Sequence, residues 1–452
     1  MYAPTRRTFI RQAACAALGT TGLLNTLFDL RKISAATVAT GDYKALVCLF
    51  LYGGNDANNV IVPHDTSGYA SYAAARGALA VTRESLLPLT LAAGDGRDFG
   101  FHANLPELQA LFNNGHLALV ANVGTLVAPI TRAQYLAGGA AVPEHLFSHS
   151  DQSVQWQTSV PDQPLLTGWG GRAGDLLQSL NGGSNISLSI SLAGTNTFEV
   201  GNTVIPYQVS PTGSIAFTGL SGSANADARY QGFRNLMALP RNNLFAQTYS
   251  DTVTRAIGNN ELLTAALASA PPLTTIFPTS ALASQLNMVA KIISARSALG
   301  MRRQIFFCAV SGYDTHGDQL TAHGNLLTEL SQGLNAFYNA TTELGVASDV
   351  ATFTASDFGR TFPTNGTGSD HGWGSHQFIM GGAVRGGRLF GTFPTLAVNG
   401  PDDTGQGRWI PTTSVDEFSA TLATWFGVSS SDLSTVLPNI GRFANPNLGF
   451  FA

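Results

Sequence analysis

Several short runs of the chain are apolar at nearly every position. Residues 44–52 (KALVCLFLY), 116–124 (HLALVANVG), 185–194 (NISLSISLAG), 303–310 (RQIFFCAV) and 349–356 (DVATFTAS) have the length and the β-branched and aromatic content of strands. HQFIMGGAV, from His376, reads as a further strand. Strands apolar on both faces lie between two covering layers, which is the environment of a parallel sheet. The covering helices are visible too. In 322–344, Leu326, Leu327, Leu330, Leu334 and Phe337 recur at three- and four-residue spacing, and 282–300 follows the same pattern. A last helix is predicted to begin at Ser414, with Glu417 three residues on in the spacing of a reciprocal cap and Phe418, Leu422 and Phe426 on its core face. The pattern predicts an α/β fold with a mostly parallel sheet sandwiched between helices. No Pro/Ser linker divides the chain, so residues 40–452 are expected to form one domain. The Gly/Thr/Asn-rich region 195–250 is expected to be a β-rich insertion or cap.

Composition narrows the setting. The chain has 452 residues, a formal net charge of −4 and only 12% charged residues, with no Lys/Arg block after the N-terminus. The basic stripe that counterion-release binding requires is therefore missing, and a nucleic-acid partner is not expected. Arg6 and Arg7 precede Phe9, Ile10 and a mildly apolar run, a pattern similar to a twin-arginine export signal, and small residues around 34–39 suit cleavage. Residues 1–39 are thus expected to be a signal recognised by the twin-arginine machinery, with a periplasmic or secreted mature chain. No later run reaches the length of a membrane span. Cys15 falls in that leader, while Cys48 and Cys308 sit inside strand-like runs and are expected as buried thiols.

The polar residues that could carry chemistry follow the ends of predicted strands. LVCLFLY runs into GGNDANN, IFFCAV into SGYDTHGDQ, and VATFTAS into DFGRT. In a parallel sheet these ends share one edge, where ligands bind. Asp314 and His316 are two apart, so in extended chain both side chains reach the same side and one divalent cation. Asp357, His371 and His376 are further ligand candidates, with Asp370 placed to orient the ring of His371. Asp56 stands after two glycines, and Asn55, Asn58 and Asn59 around it offer hydrogen bonds to an anionic substrate. Arg360 is a candidate oxyanion clamp. Ser148 and Ser150 precede a helical stretch, where a hydroxyl is either a nucleophile or an N-cap. The loop-rich stretch 354–377 is accordingly either the rim of a metal or anion site or an elaborate turn.

The segments FLYGGNDANN, LFSHSDQSVQWQT, GYDTHGDQ, SDFGRTFPTNGTGSDHGWGSHQFIMGGAVRGGRLFG and RWIPTTSVDEFSATLATWFGV together resemble the exported bacterial family named domain of unknown function 1501. That family is grouped with the alkaline-phosphatase/sulfatase superfamily. The resemblance implies an alkaline-phosphatase-like fold and metal-dependent hydrolysis of phosphate or sulfate esters, with one or two divalent ions, zinc or calcium foremost. It places Asp56, Asp314, His316 and His371 or His376 among the metal ligands and Ser148 or Ser150 as nucleophile. Phe358 stands where the superfamily has a ligand histidine, which implies a site short of one ligand. Phe358 is expected to point away from that site into apolar packing. A non-catalytic binding or assembly protein on the same fold is the rival expectation.

Overall fold

A computed structural model describes residues 42–92, 98–215 and 224–452. The export signal expected at 1–39 lies outside the described residues. Ten strands build one sheet: β1 (Lys44–Tyr52), β2 (Leu117–Gly124), β3 (Ser189–Ser191), β4 (Tyr207–Ser210), β5 (Gly213–Ser214), β6 (Arg303–Ser311), β7 (Val350–Ser356), β8 (Ser375–Met380), β9 (Leu389–Phe390) and β10 (Thr413–Ser414). Their order is β9-β2-β8-β7-β1-β6-β3-β4-β5, with β10 also on β2. Only β8 and β5 run against their neighbours. The sheet is therefore mostly parallel, as the doubly apolar strands require.

Nine helices matter here: α1 (Thr66–Arg76), α2 (Pro106–Asn113), α3 (His149–Thr158), α4 (Trp169–Leu177), α5 (Ala224–Met237), α6 (Leu244–Ser269), α7 (Ala281–Ser294), α8 (Gln319–Glu343) and α9 (Val415–Phe426). The period-two alternation of β1 sorts them into layers. Ala45, Val47, Leu49 and Leu51 pack with Leu282, Leu286 and Val289 of α7 and Leu327, Leu330, Leu334 and Phe337 of α8. Leu46, Cys48 and Phe50 face the other way, onto Trp169, Ala173 and Leu177 of α4 and Phe418, Leu422 and Phe426 of α9. Cys48 and Cys308 are free and buried, and they belong to opposite layers. Ser414 and Glu417 cap α9 reciprocally, so the orphan amides of its first turn are satisfied.

Two outlines differ from the sequence pattern. The run 185–194 keeps only three residues in the sheet, because Ser191 Oγ turns back to donate to Gly194 O at 2.5 Å. Among the described residues of 195–250, strand structure is confined to β4 and β5, and helices take over from Ala224.

Candidate metal centre

β1 leaves the sheet through Gly53 and Gly54, whose φ angles are +117° and +83°. A Cβ on Gly53 would meet the Asp314 amide nitrogen at 2.3 Å, and one on Gly54 would meet the Phe358 ring at 2.6 Å. Only glycine fits such close approach at positive φ. The approach is what gathers the site. Gly53 N–H donates to Asp357 Oδ2 at 3.0 Å, beyond the end of β7, and Gly53 O accepts from Arg360 Nη1 at 3.1 Å. Arg360 Nη1 also donates to Asp314 Oδ1 at 2.6 Å, beyond the end of β6. The carboxyl ends of three parallel neighbours are thereby tied together.

Three imidazoles close on this frame. His149, the first residue of α3, has Nε2 3.1 Å from His371 Nε2 and 3.4 Å from Asp314 Oδ1. His371 Nε2 is 3.4 Å from the same oxygen. His316 Nε2 lies 3.1 Å from Asp314 Oδ1 and 3.1 Å from His371 Nε2. Every Nδ1 faces an acceptor: Asp357 Oδ2 for His149 (2.6 Å), Asp370 Oδ1 for His316 (3.2 Å) and the Phe147 carbonyl for His371 (2.8 Å). A carbonyl and two carboxylates hold the ring protons on Nδ1. The Nε2 lone pairs are then turned toward one another and toward a carboxylate oxygen.

That arrangement fits a cation. An ion with ligands at about 2.0–2.1 Å in tetrahedral geometry keeps those ligands about 3.3 Å apart. His149, Asp314 and His371 have this spacing, and His316 adds to the Asp314–His371 edge. The three Nδ1–H groups are anchored as metal-ligating histidines are, by a carboxylate or a backbone carbonyl. The charges agree. Burial pushes the Asp314 carboxyl up, but the hydrogen bond and charge of Arg360 outweigh it and the pKa is lowered. The Asp357 hydrogen bond raises His149, while burial lowers His371. Asp314 is 44% exposed, so the cluster opens to solvent.

The sequence candidates separate into two groups. Asp314, His316, Asp357 and His371 come together, with Asp357 bonded to His149 and Asp370 orienting His316 in place of His371. Asp56 is elsewhere employed: it is fully buried, paired with Arg76 Nη2 and bonded by Gln319 Nε2 and by Asn58 Nδ2 (3.1 Å). Fully buried and with both carboxylate oxygens taken by protein donors, Asp56 is not a ligand of this cluster. His376 sits at an irregularity of β8, accepts from the Asn122 amide through Nδ1 at 3.0 Å and stacks on Phe393. Nor are the asparagines free for substrate. Asn55 Oδ1 accepts from His323 Nε2 (2.9 Å), Asn58 Oδ1 from Trp409 Nε1 (2.8 Å) and Asn59 Oδ1 from the Tyr72 hydroxyl (2.7 Å), all buried. Arg360 is buried as well, and its donors go to Asp314, Gly53 O and Ser369 O, which leaves no fork for an oxyanion. Ser148 is the residue before α3, and its hydroxyl donates to Asp151 Oδ2 at 2.5 Å without capping the helix. Ser150 reaches the same oxygen at 3.1 Å. Phe358 does not point away. Its ring packs 4.7 Å from the rings of both His149 and His371.

The residue that sequence reasoning missed is His149. It stood between two serines at a helix start, and the hydroxyls drew the attention. Its only sequence signal was that position.

A family model described as a protein of unknown function (DUF1501) matches residues 43–435. The chain belongs to the DUF1501 family. Among curated proteins, none matches its sequence. Solved structures similar to this DUF1501 member include the C-terminal periplasmic domain of EptC from Escherichia coli, in complex with Zn. That pair has 11% identity and a TM-score of 0.36 over 91% of this chain and 93% of the other. The PsFucS1 sulfatase from Pseudoalteromonas sp. shows 10% identity and a TM-score of 0.36 over 90% and 73% of the chains. A protein in the alkaline phosphatase superfamily from Vibrio parahaemolyticus shows 12% and 0.35 over 89% and 75%. Likenesses this distant leave the chemistry to the residues of the DUF1501 chain itself. Among the described residues, no helix is long and apolar enough to cross a membrane.

Proposed function

We propose that this DUF1501 protein is a metal-dependent hydrolase of phosphate or sulfate esters, with the ion held by His149, His371 and Asp314 and with His316 beside the Asp314–His371 edge. The observation that carries the reading is the cluster of three Nε2 atoms about Asp314 Oδ1, five of whose separations are 3.1–3.4 Å. Imidazole with one carboxylate suits zinc; calcium prefers an all-oxygen shell. When bound, such an ion polarises an ester oxygen and lowers the pKa of a hydroxyl beside it.

The chain's own groups supply the rest. Asp357, Asp370 and the Phe147 carbonyl keep the imidazole protons on Nδ1. Arg360 keeps Asp314 ionised and in place. Ser148, next to His149, offers the attacking hydroxyl: its oxygen would bond to phosphorus or sulfur as the ester's C–O oxygen leaves, and the proton that Asp151 Oδ2 accepts from Ser148 would pass to that departing alkoxide. In this reading residues 40–452 act as one unit, exported by the twin-arginine route.

A non-catalytic binding protein is the second reading. It is favoured by Arg360, Asn55, Asn58 and Asn59 all being engaged within the protein. Elemental analysis followed by assay of the zinc-loaded protein on aryl phosphates and sulfates separates the two. Stoichiometric zinc with turnover that Ser148→Ala abolishes supports the hydrolase; stoichiometric zinc without turnover on either ester supports the binding protein. Export is tested apart from both. Replacing Arg6 and Arg7 together by Lys should hold the precursor in the cytoplasm, and normal periplasmic accumulation would remove the twin-arginine reading.

A further inference from the structure

The loop leading into α3 places His145 and Phe147 at φ +48° and +76°. For a residue with a Cβ this region costs about 1–2 kcal/mol, and it persists where the surroundings impose it. Around Phe147 they do. Its carbonyl accepts from His371 Nδ1 at 2.8 Å. Its ring lies under the guanidinium of Arg408, with Cζ 4.3 Å from the ring centroid. Arg408 Nε in turn donates to the His371 carbonyl at 2.8 Å. Phe147, His371 and Arg408 thus form a closed circuit, and His371 is gripped from both sides.

Something is left over in that circuit. Arg360 and Arg76 direct both Nη atoms to protein oxygens. Arg408 is half-buried, and the one hydrogen bond its guanidinium makes among the described residues is through Nε. Nη1 and Nη2 therefore remain available beside a metal-ligand candidate. A guanidinium seated over an aromatic ring and bonded through Nε is already ordered, so little side-chain entropy is lost when its fork engages two oxygens.

We propose that Arg408 is the anion-receiving residue of this site, with Nη1 and Nη2 taking two oxygens of a phosphate or sulfate group. The inference rests on the ester-hydrolase reading, and it gives Arg408 the role that Arg360 is too engaged to fill. Phe147 is a positioning residue whose ring carries the guanidinium.

The test is calorimetric titration of the purified protein with inorganic phosphate and with sulfate, in zinc-loaded and chelator-treated states, and with zinc titrated separately. Arg408→Ala should weaken phosphate or sulfate by roughly tenfold or more, the usual worth of hydrogen bonds to a charged group. Arg408→Lys, which keeps the charge and loses the fork, should recover only part of it, and Phe147→Leu should fall between wild type and Arg408→Ala. The melting temperature of Arg408→Lys shows that it is folded, and its zinc affinity, read beside its anion affinity, separates a loosened His371 from a lost anion contact. Wild-type affinity for phosphate and sulfate in Arg408→Ala would overturn the inference while leaving the metal centre standing. So would the failure of the wild type to bind either anion in either state. If zinc fails to bind the wild type, the metal reading falls, and the anion titrations of the chelator-treated proteins still decide the role of Arg408 in the same way.

Discussion

Two polar clusters lie side by side at the carboxyl edge of the sheet, and they solve the same electrostatic problem differently. The inner one gathers Asp56, Arg76, Gln319, Asn58, Asn55 and His323, all buried. Its carboxylate meets a built-in cation, Arg76, and Arg76 Nη1 is satisfied by Thr361 O and Phe362 O at 3.1 and 2.7 Å. The outer one gathers His149, His316, His371 and Asp314, where Nε2 lone pairs face one another. Arg360 Nη1 donates to Asp314 Oδ1, the same oxygen the imidazoles surround, and Asp314 remains 44% exposed. Both carboxylates carry a guanidinium; the inner one is fully buried and saturated, and the outer one is exposed to solvent with imidazole Nε2 atoms beside it. The two are joined: Ser369 Oγ donates to Gln319 Oε1 at 2.6 Å, Gln319 bonds Asp56, and Ser369 O accepts from Arg360.

The largest effect expected from breaking this contrast is in the inner cluster. Arg76→Met should cost about 3–5 kcal/mol in urea unfolding, because it strands a buried carboxylate, and Arg76→Met with Asp56→Leu should recover much of that. A loss near zero in the single variant would mean that water reaches Asp56. Acid should also act with opposite sign on one histidine of each cluster in metal-free protein, His323 of the inner and His149 of the outer. Burial lowers His323 to about 4, so between pH 6.5 and 4 the unfolded chain binds the proton first and the inner cluster loses stability as pH falls. The full loss is about 3 kcal/mol, and His323→Gln should remove it from the acid limb of the stability profile. The raised pKa of His149 works the other way: its contribution is present at low pH and disappears as pH rises through the folded-state value.

Zinc should then distinguish the clusters by linkage. At 100 times its dissociation constant it should stabilise the wild type by about 2.7 kcal/mol, seen as a rise in melting temperature. His149→Ala or His371→Ala should abolish that rise and Asp56→Asn should leave it. Equal responses in all of these would place the ion elsewhere. The smallest effect belongs to the support of the ligands. Asp357→Asn should weaken zinc by about 10–100-fold in a competition titration with a chromophoric chelator, with turnover not needed for the readout.

Much of the frame was legible in one dimension because it depends on local periodicity. Apolar runs set β1, β2, β6 and β7 to within about a residue, and the spacing of Leu327, Leu330, Leu334 and Phe337 marked the buried face of α8. That polar residues after parallel strands share one edge also follows from chain direction alone, and it brought Asp314, His316, Asp357 and His371 into a single hypothesis. Aspartate, asparagine and arginine have the same letters in either cluster, however. Asp56 is distinguished from Asp314 by Arg76, twenty positions away and on α1, and by Gln319 on α8. His149 enters only because α3 packs its first residue onto the end of β7 at Asp357, 208 positions on in the chain.

The sequence by itself determined the central strands β1, β2, β6 and β7, the buried faces of α8 and α9, and on which edge the polar loops collect, since these rest on backbone periodicity and direction. Tertiary structure alone decided which carboxylate is buried and saturated by protein donors, which one stays exposed among imidazoles, and which arginine keeps its Nη donors free. Partners for a buried charge come from whatever element packs against it, and hydrogen bonds reaching across hundreds of residues leave no periodic trace in the chain.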